Sequence, residues 1–198
     1  MMPSYLAGLG TGLSLIMAIG AQNAFVLKQG LMRRHVFAVC LFCALSDALL
    51  IAAGVAGMGA VAGIAPWLPE AMRWAGAAFL FLYGARSFRA AWRGGEALCP
   101  EGRGAGLGAT LAVLAALTWL NPHVWLDTVV LLGAISSGWP DRRAFAAGAI
   151  TGSFLFFFSL GYGARLLAPV FARPVAWRWL ELAVGCVMWA IALRLAFG

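Results

Sequence analysis

Six long apolar runs joined by short basic links take up almost the whole of this 198-residue chain. A helix needs about 20 apolar residues to cross the hydrocarbon core of a bilayer. Helices and closed barrels are the structures that satisfy their own backbone polar groups there. Composition points the same way, with 63% hydrophobic and 11% charged residues where a soluble domain carries roughly 25% charged. One small globule cannot hide that much apolar surface. The chain therefore reads as an all-α integral membrane protein, a single transporter-sized domain over residues 1–198 with about six transmembrane helices. The expected spans are 4–27, 35–63, 67–92, 105–137, 144–168 and 177–197. Residues 1–27 carry no charged side chain. They lack the basic start and short apolar core of a signal peptide, so they are expected to be a retained first span.

The formal net charge of +7 would suggest nucleic acid in a soluble protein. Here the arginines flank apolar runs, so they report topology and lipid headgroups instead. Ten of the 14 Lys and Arg residues, Lys28, Arg33 and Arg34 among them, lie in the links after spans one, three and five or in the span ends that border those links. Arg73, Arg142, Arg143 and Arg194 lie on the other face. The positive-inside rule then puts the ten-charge links in the cytoplasm of a bacterial inner membrane and both termini outside. Cys40 and Cys43 form a CxxC inside an apolar run, without a second CxxC or a His pair, and read as small packing residues. No metal or cofactor is expected, and no GxxxxGK[ST] run is present to bind ATP.

An internal repeat accounts for the dissenting Arg142 and Arg143. Arg33-Arg34 and Arg142-Arg143, 109 residues apart in the sequence, each open the second helix of a three-helix unit. The same offset carries Gly54 to Gly163 and Gly76 to Gly185, and Pro66 matches Pro174 within one residue. A three-helix unit reverses direction when repeated, so two inverted repeats are expected, about 4–92 and 105–197.

Of the seven acids, Glu70, Glu96, Glu101 and Asp141 fall in links, and Glu181 lies beside Trp177 and Trp179 at an expected interface. Asp47 and Asp127 remain, inside the second and fourth spans. Each costs roughly 2.5–3.5 kcal/mol to insert at the bilayer centre, and carboxylates at that depth face cavities and handle cations or protons. The bland alternative is a structural pair with an arginine such as Arg73.

Two spans also contain breaks. Asn121-Pro122 interrupts the fourth, since asparagine favours the N-cap and proline the first helical position. Gly20-Ala21-Gln22-Asn23 loosens the first, with Asn23 able to cap the restart. Asn23 and Asn121 occupy matching places in the repeat. The start of a half-helix presents free N–H groups and a positive dipole end, which suit a carboxylate. Asp47 and Asp127 suit an ammonium or guanidinium group. A basic amino acid carries both kinds of charge. The expected substrate-binding set is Asp47, Asp127, Asn23, Asn121, Gln22 and His123, with Gly20 and Pro122 as the helix breaks. His123 reads equally as a proton relay or a satisfied hydrogen-bonder, and Trp119 and Trp125 as packing more than as guanidinium stackers.

These residues resemble the lysine exporter family, and more narrowly its arginine/lysine efflux branch. The resemblance covers essentially the whole chain. It rests on Gly20-Ala21-Gln22-Asn23-Ala24-Phe25-Val26 with Gln29-Gly30, on Ser46-Asp47, on Thr118-Trp119-Leu120-Asn121-Pro122-His123 with Leu126-Asp127, and on Val184-Gly185-Cys186-Val187-Met188-Trp189. It implies efflux of arginine or lysine from the cytoplasm by antiport with protons, and a functional aspartate pair at Asp47 and Asp127. One departure is that the family often has proline before the Gln-Asn of the first span, where this chain has Ala18 and Ala21. The expected partners are a basic amino acid, protons and the lipid bilayer, with a homodimer left open and no nucleic acid. The alternatives are an exporter of neutral amino acids of the homoserine or threonine type and, more remotely, an intramembrane aspartyl protease.

Overall fold

A computed structural model describes residues 1–17, 20–57, 68–92, 105–167, 169 and 174–197. The described residues are helical and contain no strand. The first expected span is two helices, α1 (Met2–Ile16) and α2 (Ala21–Leu31), set at 83° to one another. The second is α3 (Val36–Val55) and the third α4 (Leu68–Trp92). The fourth breaks into α5 (Leu107–Trp119), the short α6 (Pro122–Trp125), a π-helical stretch (Leu126–Leu131) and α7 (Leu132–Ser137). The fifth is α8 (Arg142–Gly163), prolonged by a 3₁₀ turn over Ala164–Leu167, and the last is α9 (Pro174–Phe197). The link at 93–104 and the end of the second expected span beyond residue 57 lie outside the described residues.

By length and composition, three described helical stretches can cross a membrane alone: Val36–Val55, Arg142–Leu167 and Val175–Arg194. The bent α1–α2 pair makes a fourth if it acts as one span. α4 is long enough but carries Glu70, Arg86 and Arg89, while α5 and the Leu126–Ser137 stretch are apolar but short. Length is lost in the fourth span because the chain spends residues on a break, and the half-helices on each side are too short to cross separately.

The helices are held by close backbone approach. Without a hydrophobic force between helices in lipid, small residues at crossings let backbones pack. α1 lies on α8 in this way. A Cβ added at Gly8 would sit 1.9 Å from the Phe145 carbonyl oxygen, and one at Gly148 would sit 2.0 Å from that of Tyr5. The crossing of α3 with the π stretch and α7 is similar, for a Cβ at Gly54 would sit 2.5 Å from the Val129 carbonyl oxygen. α4 and α9 instead zip through aromatics. Trp189 stacks on Phe81 with ring centres 4.8 Å apart and donates its indole N–H to the Phe81 carbonyl at 3.0 Å.

The basic link between α2 and α3 is a tight turn. Arg33 and His35 adopt left-handed backbone angles (φ 54° and 50°), which non-glycine residues seldom do. Backbone bonds from Arg33 to Gly30 and from Arg34 to Gln29, both 3.1 Å, close it. Asp141 caps α8 by accepting from the Ala144 N–H at 2.9 Å. Cys40 is buried and its thiol donates to the Phe157 carbonyl at 3.1 Å, tying α3 to α8.

Glu181 departs from the sequence expectation. It is buried rather than interfacial, and it forms an ion pair with Lys28 that joins α2 to α9. The helical face that carries Trp177 and Glu181 turns into the core, while Trp179 stays exposed.

Candidate substrate cavity

The two helix breaks meet in the interior. Around them lies a cavity of about 240 Å³, lined from five of the six expected spans. Leu15 and Ile16 come from the end of α1, and Gly20, Ala21, Gln22 and Asn23 from the start of α2. Asp47 comes from α3, and Asn121, Val124, Asp127, Thr128 and Leu132 from the second break and its continuation. Phe157 comes from α8, and Ile191 and Arg194 from α9. Six of the expected site residues, Gly20, Gln22, Asn23, Asp47, Asn121 and Asp127, therefore share one wall-to-wall space. Pro122 opens α6, as its position after Asn121 predicts. The side chain of His123 lies outside the described residues, as does that of Arg73.

The first break works differently from the expectation. Gly20 is the N-cap of α2, in extended conformation (φ −111°, ψ 173°), with no side-chain cap. Asn23 does not cap the restart. Its amide nitrogen reaches back across the break and donates to the Ile16 carbonyl at 2.7 Å, satisfying the end of α1. The first residues of α2 line the cavity, and a helix start favours negative charge.

The second break is held by its own aromatics. Trp125 donates its indole N–H to the Trp119 carbonyl at 3.1 Å, and the two rings meet edge to face at 5.8 Å. The two tryptophans thus pack on one another across the break. The π stretch follows at once, and π-turns inside α-helices concentrate at functional sites. It carries Asp127 and Thr128, and the Thr128 hydroxyl donates to the Val124 carbonyl at 2.5 Å.

Asp47 is 3% exposed and accepts a 2.5 Å hydrogen bond from the Ser153 hydroxyl of α8. A buried carboxylate is tolerated when it is hydrogen-bonded, and a charged acceptor makes that bond strong. Gln22 is 7% exposed, and its amide nitrogen has no hydrogen-bond partner among the described residues. A donor buried in that state is costly to leave unmade.

Sequence reading missed Ser153, Thr128 and Arg194. Ser153 carries no local signal, because its role exists only through the α3–α8 crossing. Arg194 did have one: it interrupts the apolar run Val184–Phe197, and an ionisable residue within a span is a functional candidate by default.

An apolar helical bundle whose interior holds a carboxylate-lined cavity between interrupted helices has the architecture of a membrane transporter. Comparison with known families specifies which kind. Residues 13–198 match the LysE type translocator family, and the chain belongs to it. It is 44% identical to the arginine exporter protein ArgO of Escherichia coli (strain K12) over 196 residues, covering 97% of this chain and 92% of that protein. Arginine exporter protein ArgO of Shigella flexneri is 43% identical over 97% of this chain and 92% of its own length. The ArgO of Salmonella schwarzengrund (strain CVM19633) is 41% identical, with 99% and 94% covered. No solved structure matches the chain.

Proposed function

We propose that this protein exports basic amino acids, arginine foremost and lysine with it, from the cytoplasm across the bacterial inner membrane in exchange for protons. The observation that carries this reading is the meeting of Asp47 and Asp127, from opposite halves of the chain, in one cavity with the start of α2. The acids suit the ammonium or guanidinium end of the substrate, and the helix start with Gln22 suits its carboxylate. Asn23 and Asn121 then line the substrate as well as organise the breaks. The names of these three relatives, each an arginine exporter protein, support the choice of substrate.

Coupling follows from electrostatics. Moving one positive charge outward against the membrane potential costs about 2.3 kcal/mol per 100 mV, and one proton moving inward cancels it. Asp47 or Asp127 alternates between proton and substrate cation in this scheme, with Ser153 holding the Asp47 carboxylate in place. His123 follows the break directly and is the candidate relay.

The two halves, about 4–92 and 105–197, act as inverted repeats. The α1–α8 crossing and the crossing of α3 with the π stretch and α7 are counterparts under such a repeat, and both rest on glycine contacts. In this arrangement the links after spans one, three and five face the cytoplasm and both termini face outward.

The test is efflux of preloaded radiolabelled arginine and lysine from exporter-deficient cells, with threonine as control. Asp47→Asn and Asp127→Asn each are expected to lower basic amino-acid efflux by at least about a hundredfold, the order expected for loss of a buried charge pair worth roughly 3 kcal/mol. Threonine efflux by the wild type, or normal arginine efflux by both variants, would transfer the site to neutral amino acids and return the acids to a structural role.

A further inference from the structure

Arg194 is the residue of the cavity that the exporter reading leaves without work. It sits near the end of α9, is exposed, and lines the same cavity as Asp47 and Asp127. Its side chain is thus exposed on one side and borders the cavity on the other. A guanidinium beside two carboxylates is an odd choice in a site built solely to attract cations, because it opposes the field they create.

Charge arithmetic gives it a purpose. With both acids ionised, Asp47 and Asp127 contribute −2 and Arg194 contributes +1, so these three groups sum to −1. A basic amino acid has two positive groups and one carboxylate, and sums to +1. The match is charge for charge: two cationic ends for two acids, one carboxylate for one guanidinium. Without Arg194 the same cavity would sum to −2 and would favour a diamine that lacks the carboxylate. Guanidinium pairs with carboxylate in a planar two-bond fork, which also fixes orientation.

A second, independent feature lines the same cavity. Gln22 is more than nine-tenths buried, lines the cavity, and carries an amide N–H group with no partner among the described residues. It is the second residue of α2, in the first turn, whose backbone N–H groups find no acceptor within the helix itself. A carboxylate arriving there could accept from the Gln22 amide and from the helix start.

We infer that Arg194, together with Gln22 and the start of α2, forms the subsite that holds the substrate's α-carboxylate, and that Arg194 is the residue that makes this transporter select amino acids over the corresponding amines. The inference rests on the exporter reading for the identity of the cationic end, but the carboxylate end can be tested on its own.

The experiment measures binding to the detergent-purified full-length protein by isothermal titration calorimetry. The ligands are arginine, agmatine (arginine without its carboxylate) and arginine methyl ester, against wild type, Arg194→Ala, Arg194→Gln and Arg194→Lys. Wild type is expected to bind arginine at least about tenfold more tightly than agmatine or the ester, the difference made by one charge-assisted hydrogen bond. Arg194→Ala should lose at least that factor for arginine while agmatine binds as before or more tightly, and Arg194→Lys should recover part of the loss. Arg194→Gln, which keeps length and polarity, answers the same question if the alanine variant fails to fold. An equal loss for arginine and agmatine, or unchanged arginine binding, overturns the assignment. If wild type binds threonine and not arginine, the basic-substrate reading fails alone, and threonine against its decarboxylated amine reads Arg194 in the same way. Wild type that binds no carboxylate-bearing amino acid sinks both.

Discussion

The two helix breaks do the same job by different chemistry. At the first, no proline interrupts the described backbone, α2 starts without a side-chain cap, and Asn23 stitches the break from the far side by bonding to Ile16. At the second, Pro122 restarts the helix, Trp119 and Trp125 clasp the gap, and a π stretch carries the chain past Asp127. The first break is thus held by one polar bridge and by what α2 touches elsewhere. The second is held locally, by residues within a few positions of the gap. Broken backbone at membrane depth is tolerated where it is buried in protein or lines a cavity, and the comparison shows two different ways of holding a break beside one cavity.

This contrast can be broken most forcefully at α2, which depends on distant support. Lys28→Met leaves Glu181 buried and unpaired, and should cost about 3–5 kcal/mol of stability. Thermal unfolding in detergent should show this as a large drop, recovered in the Lys28→Met, Glu181→Met double variant. Unchanged melting in the single variant would mean that α2 is not anchored through α9. Next in size is Asn23→Ala, which orphans the Ile16 carbonyl and removes a cavity-lining amide. A loss of about 1–3 kcal/mol is expected, seen as roughly tenfold slower arginine efflux. Efflux that stays at the wild-type rate would show that the first break closes without the bridge. The smallest effect belongs to the locally held break. Trp125→Phe keeps the ring contact and deletes only the indole N–H, so about 0.5–1.5 kcal/mol should be lost and efflux should fall a few-fold at most. A collapse of transport in that variant would reverse the ranking of the two breaks.

The local character of each feature decides how legible it was. Asp47 and Asp127 stood out because charge within an apolar run is costly wherever it occurs, so sequence alone flags it. The Asn121-Pro122 break was readable for the same reason, since proline acts on its own backbone. Asn23 was noticed but given the wrong partner: a capping residue and a bridging residue look identical in sequence, and only the 83° turn between α1 and α2 brings the Ile16 carbonyl within reach. Glu181 was assigned to an interface by its tryptophan neighbours, whereas Lys28 draws it into the core across the whole length of the chain. Arg194 was counted as a topology marker, because charge near the end of a span serves that purpose as readily as it serves a site.

Sequence by itself determined that this chain is helical and apolar enough for a membrane, that two of its expected spans are interrupted, and that two acids lie within apolar runs. Those properties follow from single residues and their immediate neighbours set against the energetics of a bilayer. Tertiary structure alone decided that both breaks and both acids open into one cavity, that Ser153 bonds to Asp47, and that Arg194 and Gln22 line the same space. These are meetings between helices far apart in the chain. They depend on which helix faces cross, and the glycine contacts of α1 with α8 and of α3 with the π stretch set those crossings.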